Sequence, residues 1–312
     1  MLPALLSVYP SASADTTSIN NLFFWFLLAA GIVFAAIIGS ITYIIFRFNK
    51  KKTPVALNQQ EGNKKFEIGI AILAFSLVVI FLVYTLKTIT TIQPVKRYSK
   101  PDIIIIGHQW WWEMIYPNDS ITTANELHIP AGKKLLVKLS SADVIHDWWV
   151  PALGRKMDMI PGQDNFFYIE ANHTGIYDGT CSEFCGTQHA WMRIKVFAED
   201  SLDYSNWINQ QKSPIQETTS ALAQQGKILF ESKSCASCHQ IQGTVAKESF
   251  GPDLTNLATR TTLLAGKKKY SFENLKKWIA DPQSQKPGAN MPNFILSDEE
   301  VTAIATYLNQ LN

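Results

Sequence analysis

Two long stretches without a charged side chain constrain this chain more than any other feature. Residues 21–46 form 26 consecutive uncharged positions, and residues 68–86 form a second uncharged run. As helices these segments would be roughly 39 Å and 29 Å long, and the hydrocarbon core of a bilayer is about 30 Å thick. Buried helices of a soluble protein rarely lack charge over such a length. The sequence therefore predicts two membrane-spanning helices, at about 21–48 and 66–90.

Basic residues between the two apolar segments predict their orientation. The connecting segment carries one acid, Glu61, against six bases: Arg47, Lys50, Lys51, Lys52, Lys64 and Lys65. The positive-inside rule places this connection in the cytoplasm, so the chain from about residue 93 onward lies outside. Residues 1–14 are apolar and end in small residues, like the end of a signal peptide, and the sequence leaves open whether a leader is removed. A net charge of +2 argues against a nucleic-acid partner.

The chain beyond the hairpin, which we place at 1–92, changes composition twice. Residues 93–198 contain short runs of β-branched and aromatic residues separated by proline and glycine turns. This pattern is typical of an all-β sandwich or barrel. Residues 199–220 are mostly polar and predict a linker with one short helix over about 204–211.

The last segment, residues 221–312, has helical periodicity. Its final helix is predicted to begin at Ser297, with Glu300 completing a capping box. The predicted fold class is a multidomain membrane protein with a helix hairpin, an all-β domain and an all-α domain.

The motif CSEFCGTQHAWM places four soft metal ligands close together in the all-β domain: Cys181, Cys185, His189 and Met192. Thiolate, imidazole and thioether ligands suit copper. One cysteine would serve a mononuclear site, whereas two thiolates can bridge two ions, each of which then needs its own imidazole. His146, at the end of a predicted strand, is the best second histidine. The motif therefore predicts a dinuclear copper site for fast one-electron transfer.

Three other interpretations of this motif remain open. A disulfide between Cys181 and Cys185 is compatible with an extracytoplasmic location, but it leaves the spaced His189 and Met192 without a role. Zinc is disfavoured because methionine is a poor zinc ligand. A thioredoxin-like copper-delivery protein would need a βαβ pattern, which the sequence does not show.

The sequence CASCH is the C-x-x-C-H attachment motif of c-type haem, with Cys235 and Cys238 for the vinyl groups and His239 for the iron. A zinc or redox C-x-x-C pair is the alternative, but a redox pair would sit at a helix start in a βαβ fold and would not require the histidine. A distant methionine would raise the reduction potential as sixth ligand. Met291 is the methionine of this segment and lies in a Pro/Gly-containing loop. All four cysteines are then used, and we expect no disulfide.

The remaining histidines, His108, His128 and His173, have no partners at metal spacing and are predicted to be surface or satisfied core residues. Glu67 lies at the cytoplasmic end of the second apolar segment. It is either a functional acid or a first-turn charge that the helix dipole favours.

Residues 20–198 resemble subunit II of haem–copper cytochrome c oxidases. The resemblance rests on GHQWWWEM at 107–114, HDWWVPALGRKMDMIPG at 146–162 and CSEFCGTQHAWM. It implies a cupredoxin-like domain with the dinuclear copper centre CuA, whose ligands would be His146, Cys181, the backbone carbonyl of Glu183, Cys185, His189 and Met192. The Glu183 side chain would also bind Mg or Mn at the interface with subunit I.

The same resemblance implies further roles. Trp110 occupies the position of the tryptophan through which electrons enter the copper centre in this family. A tryptophan that only packs in the core of a sandwich is the alternative. Trp111 replaces a common tyrosine, Asp158 matches an acid near the subunit interface, and Glu67 aligns loosely with an acid at a proton pathway. Residues 221–312 are similar to small class I cytochromes c.

Together these resemblances imply subunit II of a proton-translocating, O2-reducing cytochrome c oxidase in a bacterial inner membrane, with soluble domains in the periplasm. The chain would relay electrons from a cytochrome c or a quinol-oxidising complex, through haem c and CuA, to subunit I and its partner subunits. The catalytic centre would lie in subunit I. A membrane-tethered carrier or redox sensor without an oxidase partner is the alternative. A quinol oxidase subunit would lack the copper ligands, and nitrous oxide reductase would need a β-propeller.

Overall fold

A computed structural model describes residues 10–48, 62–93, 100–215 and 220–312. Helix α1 spans Ala14–Arg47 and helix α2 spans Lys64–Ile92. Both are long and apolar enough to cross a membrane. The Asn63 side chain caps α2 by accepting hydrogen bonds from two backbone N–H groups of its first turn. Residues 1–9 of the expected signal-like start, together with the loop residues Lys50, Lys51, Lys52 and Glu61, lie outside the described residues.

The segment from residue 100 onward belongs to one compact unit that begins with a β-sandwich. The strands are β1 Ile103–His108, β2 Trp111–Tyr116, β3 Ile121–Ala124, β4 Glu126–Pro130, β5 Leu135–Ser141, β6 His146–Trp149, β7 Met157–Met159, β8 Asn165–Ile169, β9 Gly175–Cys181 and β10 Arg193–Glu199. One five-stranded sheet has the order β3-β2-β1-β5-β8 and the other β4-β10-β9-β6-β7. Pairs β1–β5 and β4–β10 are parallel, and the other pairs are antiparallel.

The sandwich closes over an aromatic and aliphatic core. Side chains on strand β1 alternate between buried and half-buried, as expected for a strand with one face against the core. Trp112 and Trp148 are buried and meet edge to face at 5.3 Å between ring centroids. The predicted cupredoxin-like sandwich is confirmed.

The polar segment after the sandwich begins with a helix longer than we expected. Helix α3, Ser201–Lys212, is capped by Asp200 and buries Trp207 and Ile208. The Trp207 ring stacks on His128 at 4.3 Å. This helix is therefore part of the sandwich core, and not a free connection.

The C-terminal domain consists of short helices around one apolar core. They are α4 Ala221–Ser232, α5 Phe272–Ala280, α6 Pro282–Gln285 and α7 Asp298–Leu308, with a two-stranded ribbon of β11 Thr262–Leu263 and β12 Lys268–Lys269. The predicted capping box of Ser297 and Glu300 at the start of α7 is confirmed.

Helices α4 and α7 cross at Gly226, where only glycine fits. A Cβ at this position would overlap the carbonyl group of Ala303 and lie 2.9 Å from Cβ of Tyr307. We expect Gly226→Ala to destabilise this domain by about 1–3 kcal/mol through overpacking. Thermal unfolding followed by circular dichroism measures the loss. Gln225→Ala, at the exposed neighbouring position, is the control, and equal melting of both variants would contradict close packing at Gly226.

Candidate metal and cofactor sites

The structure brings the soft ligands predicted from the sequence into one cluster. His146 begins β6 and Cys181 ends β9, and these two strands are hydrogen-bonded neighbours. The Cys181 and Cys185 sulfurs are 3.8 Å apart. His146 Nδ1 lies 4.0 Å from the Cys181 sulfur, and His189 Nδ1 lies 3.6 Å from the Cys185 sulfur. The Met192 sulfur is 3.9 Å from that of Cys185. Each thiol thus has one imidazole beside it.

The cluster is shielded from water, and this controls the charge of its thiols. His146, Cys181, Cys185 and Met192 are buried. The hydrogen bond shared with Cys185 lowers the pKa of Cys181 to about 3. The same hydrogen bond with Cys181, followed by burial and by the negative charge of Cys181, raises the pKa of Cys185. A second thiolate beside the first would be repelled by it, so both need a cation to stabilise them. A bound metal ion supplies that charge and deprotonates coordinating thiols outright. The donor set therefore fits soft metal ions such as copper.

Residues around the cluster orient its ligands. His146 Nε2 lies 2.8 Å from Oδ1 of Asp143, which leaves Nδ1 facing the sulfurs. Gly107 lies against the ring of His146, and a Cβ there would come within 2.8 Å of it. Sequence reasoning missed Asp143, whose only local signal is its position three residues before the histidine.

The backbone and the side chain of Glu183 lie in different surroundings. Its carbonyl oxygen is 3.3 Å from the Cys181 sulfur, whereas its side chain is exposed. Asp158 lies opposite Asp147 in the β6–β7 ladder. Burial, followed by the hydrogen bond with Asp158, raises the pKa of Asp147 to about 7. Asp158 and Glu183 are thus two acids on the same domain as the cluster, although the structure shows no contact between them.

Trp110 lies next to the cluster and not deep in the sandwich core. Its indole Nε1 donates to the carbonyl oxygen of Cys185 at 2.9 Å, and Gln109 Nε2 donates to the same oxygen at 2.8 Å. Trp110 also lines the cavity of the helical domain. The side chain predicted to admit electrons therefore touches both sites.

The C-x-x-C-H motif lines that cavity of the helical domain. Cys235, Cys238, His239 and Met291 all contribute to its wall. His239 Nδ1 lies 2.8 Å from the carbonyl oxygen of Pro252, which leaves Nε2 free for a metal. Burial lowers the pKa of His239 and favours the neutral, ligating imidazole. A Cβ on Gly251 would come within 2.5 Å of the ring, so glycine allows this packing.

A buried arginine in the wall of this cavity shows whether the carboxylates of a haem could be bound there. Arg260 is buried and lines the cavity, and its Nε has no hydrogen-bond partner among the described residues. Its guanidinium also donates to the carbonyl oxygen of Asp253. Haem carries carboxylates, which would satisfy the free N–H. The residues present therefore fit a covalently held haem.

Two of the remaining histidines are satisfied by local partners. His108 lies 3.0 Å from Glu113, and His128 lies 3.0 Å from Glu199. His173 is exposed, and its carbonyl accepts a hydrogen bond from Tyr177. Among the described residues, the side chains of His146, Cys181 and Cys185 lie close enough together to hold one metal ion. Glu67 lies in the first turn of α2.

The fold and these side chains define a class: membrane-anchored redox proteins that join a cupredoxin-like domain to a cytochrome c domain. The family model "Cytochrome C oxidase subunit II, periplasmic domain" matches residues 119–199, and the model "Cytochrome c" matches residues 223–312. The cytochrome c oxidase subunit 2 of Alkalihalophilus pseudofirmus is 34% identical, with 90% of this chain and 84% of the relative covered. The Bacillus subtilis subunit 2 is 32% identical, with 86% and 81% covered.

Solved structures include the periplasmic domain of subunit II of cytochrome oxidase of Bradyrhizobium japonicum. It is 32% identical, covers 36% of this chain and 96% of that chain, and has a TM-score of 0.35. On the strength of the full-length relatives, this chain belongs to the cytochrome c oxidase subunit II family, and the resemblance seen in the sequence is confirmed.

Proposed function

We propose that this chain is the electron-relaying subunit of a proton-translocating, O2-reducing cytochrome c oxidase whose catalytic centre lies in subunit I. The observation that carries this proposal is the convergence of two thiols, two imidazoles and a thioether, with sulfur contacts of 3.6–4.0 Å, in the same compact unit as the C-x-x-C-H cavity. The relatives named as oxidase subunits support the same role.

The copper pair would be held by six groups, which are the side chains of His146, Cys181, Cys185, His189 and Met192 and the carbonyl of Glu183. Haem would be held by Cys235, Cys238, His239 and Met291. When bound, these groups supply one-electron redox chemistry, which would carry electrons from an extracytoplasmic donor to subunit I. The buried ligands exclude water, and Asp143 and Pro252 fix the ring orientations of His146 and His239. Trp110 touches both sites.

The partners and surroundings follow from the same proposal. The exposed Glu183 carboxylate would bind Mg or Mn at the interface with subunit I, and Asp158 would also lie near that interface. The hairpin over residues 1–92 would anchor the chain in the bacterial inner membrane. The domains over 93–198 and 221–312, joined through 199–220, would lie in the periplasm. There they would meet a donor such as a cytochrome c or a quinol-oxidising complex.

Purification from membranes with metal analysis and haem spectroscopy tests this function. We expect two coppers and one c-type haem per chain, together with a large co-purifying subunit that carries further haem. A chain that holds copper and c-type haem but purifies without a haem-bearing partner would instead support a tethered carrier or sensor. A chain without copper would contradict the proposal.

A further inference from the structure

A loop of the helical domain lies against the copper-site side of the sandwich. We call residues 286–291 the junction loop. Lys286 Nζ donates to the carbonyl oxygen of Trp110 at 2.9 Å, and Asn290 Nδ2 donates to that of Gln109 at 2.9 Å. The loop ends at Met291, which lines the haem cavity. The junction loop thus attaches the proposed haem ligand to the two residues that precede strand β2.

Those two residues contact the copper cluster on their other side. The side chains of Gln109 and Trp110 both donate to the carbonyl oxygen of Cys185. Two hydrogen bonds, joined by the covalent bonds of Trp110, therefore connect Lys286 to the carbonyl oxygen of Cys185. Gly186, the next residue, lies so close to the indole that a Cβ would come within 2.9 Å of it. The cysteine loop therefore holds the indole of Trp110, and the junction loop holds its backbone carbonyl.

The ammonium group of Lys286 is buried, which is unusual for a lysine in a loop. The residue is only 4% exposed, and within the described chain its ammonium donates to Trp110 and forms no ion pair. Burial, followed by the nearby charge of Lys267, lowers its pKa to about 7, and Cys185 opposes this shift. Lys267 itself donates to Gln285 and lies over the Trp191 ring.

Stability does not explain a lysine in this place. Lysine is almost never fully buried unless it is paired, and an apolar residue of similar volume stabilises such positions as well or better. Domain contact is also provided elsewhere. The buried Glu126 carboxylate accepts hydrogen bonds from the Thr261 backbone and hydroxyl and from the Thr262 hydroxyl. The particular contribution of Lys286 is a cation and a donor directed at Trp110.

We propose that Lys286 is a positioning residue for electron transfer from the haem to the copper pair, because it holds the Trp110 backbone in place and adds a positive charge at the junction. This inference rests on the proposed function. In the step concerned, ferrous haem loses one electron and the copper pair gains it, with no bond made or broken. A nearby cation favours the reduced copper pair because that form carries one more negative charge.

Flash-induced reduction of the c-type haem in the purified oxidase, at pH 6, tests this role. We expect Lys286→Met to slow transfer from haem to copper about tenfold or more, the factor that a hydrogen bond to a charged group is worth. The copper reduction potential should also fall. Lys286→Arg keeps the charge and the donor and should restore most of the rate. Lys268→Met, at an exposed position on β12, is the matched control and should behave like the unmodified protein.

The outcomes separate this inference from the proposed function. If the unmodified oxidase shows no transfer from haem to copper, the proposed function fails. If it transfers normally and Lys286→Met keeps both its rate and its copper potential, the role of Lys286 is overturned. A purely structural role would lower thermal stability without moving the potential, and this result also overturns the inference. Should Lys286→Met fail to assemble, Lys286→Gln should assemble and lower the potential, and an unchanged potential would again refute it.

Discussion

Replacing Cys185 by serine should abolish copper binding and leave the c-type haem in place. The Cys185 sulfur lies at the centre of the cluster, 3.8 Å from the Cys181 sulfur, 3.6 Å from His189 Nδ1 and 3.9 Å from the Met192 sulfur. A serine hydroxyl does not ionise near neutral pH and is a hard ligand, so it cannot bridge two soft ions. The multi-line copper EPR signal of the proposed pair should disappear, and metal analysis should find no bound copper pair.

The haem provides the internal reference for this experiment. Its proposed ligands lie in another cavity, so the absorbance of the c-type haem should be unchanged in Cys185→Ser. Ser182→Ala, in the same loop, is the matched control and should keep both the EPR signal and the haem spectrum. An unaltered EPR signal in Cys185→Ser would show that this sulfur is not a copper ligand.

Most of the candidate metal site could be predicted from the sequence because its ligands are concentrated in one motif. Four of the five side chains fall within residues 181–192, and their chemical types restrict the metal. The structure places the fifth predicted side chain, His146, beside this motif, since β6 pairs with β9 and brings Trp148 opposite Cys181. Asp143 could not be predicted, because nothing in its local sequence shows that it contacts an imidazole and not water.

Contacts between distant segments explain what the sequence did not reveal. Residues 199–220 are polar, so they predict a linker, yet α3 packs through Trp207 onto His128, far away in sequence. Lys286 lies among proline, glycine and polar residues that ordinarily indicate a solvated loop. Only the placement of the helical domain against Trp110 buries it. Side chains whose environment is created by another domain have no periodicity or motif to identify them.

Replacing Met291 by alanine should lower the reduction potential of the c-type haem sharply. A thioether is a soft donor that favours ferrous iron, and pairing it with histidine raises the potential. Axial ligands set haem potentials over a range of about 0.8 V, so losing one should cause a shift that is a substantial fraction of that range. Met291 and His239 line the same cavity, which supports their pairing. Redox titration of the haem absorbance in the purified protein measures the shift.

The copper site allows the effect of Met291→Ala to be separated from a general disturbance of the junction loop. Met192, the proposed sulfur ligand of copper outside the cysteine pair, lies in the other domain, so the copper EPR signal should be unchanged. Met157→Leu removes a sulfur from the sandwich and should leave the haem potential alone. An unchanged potential in Met291→Ala would show that another group completes the haem. Because Lys286→Met should move the copper potential and Met291→Ala the haem potential, opposite ends of one six-residue loop would act on different centres.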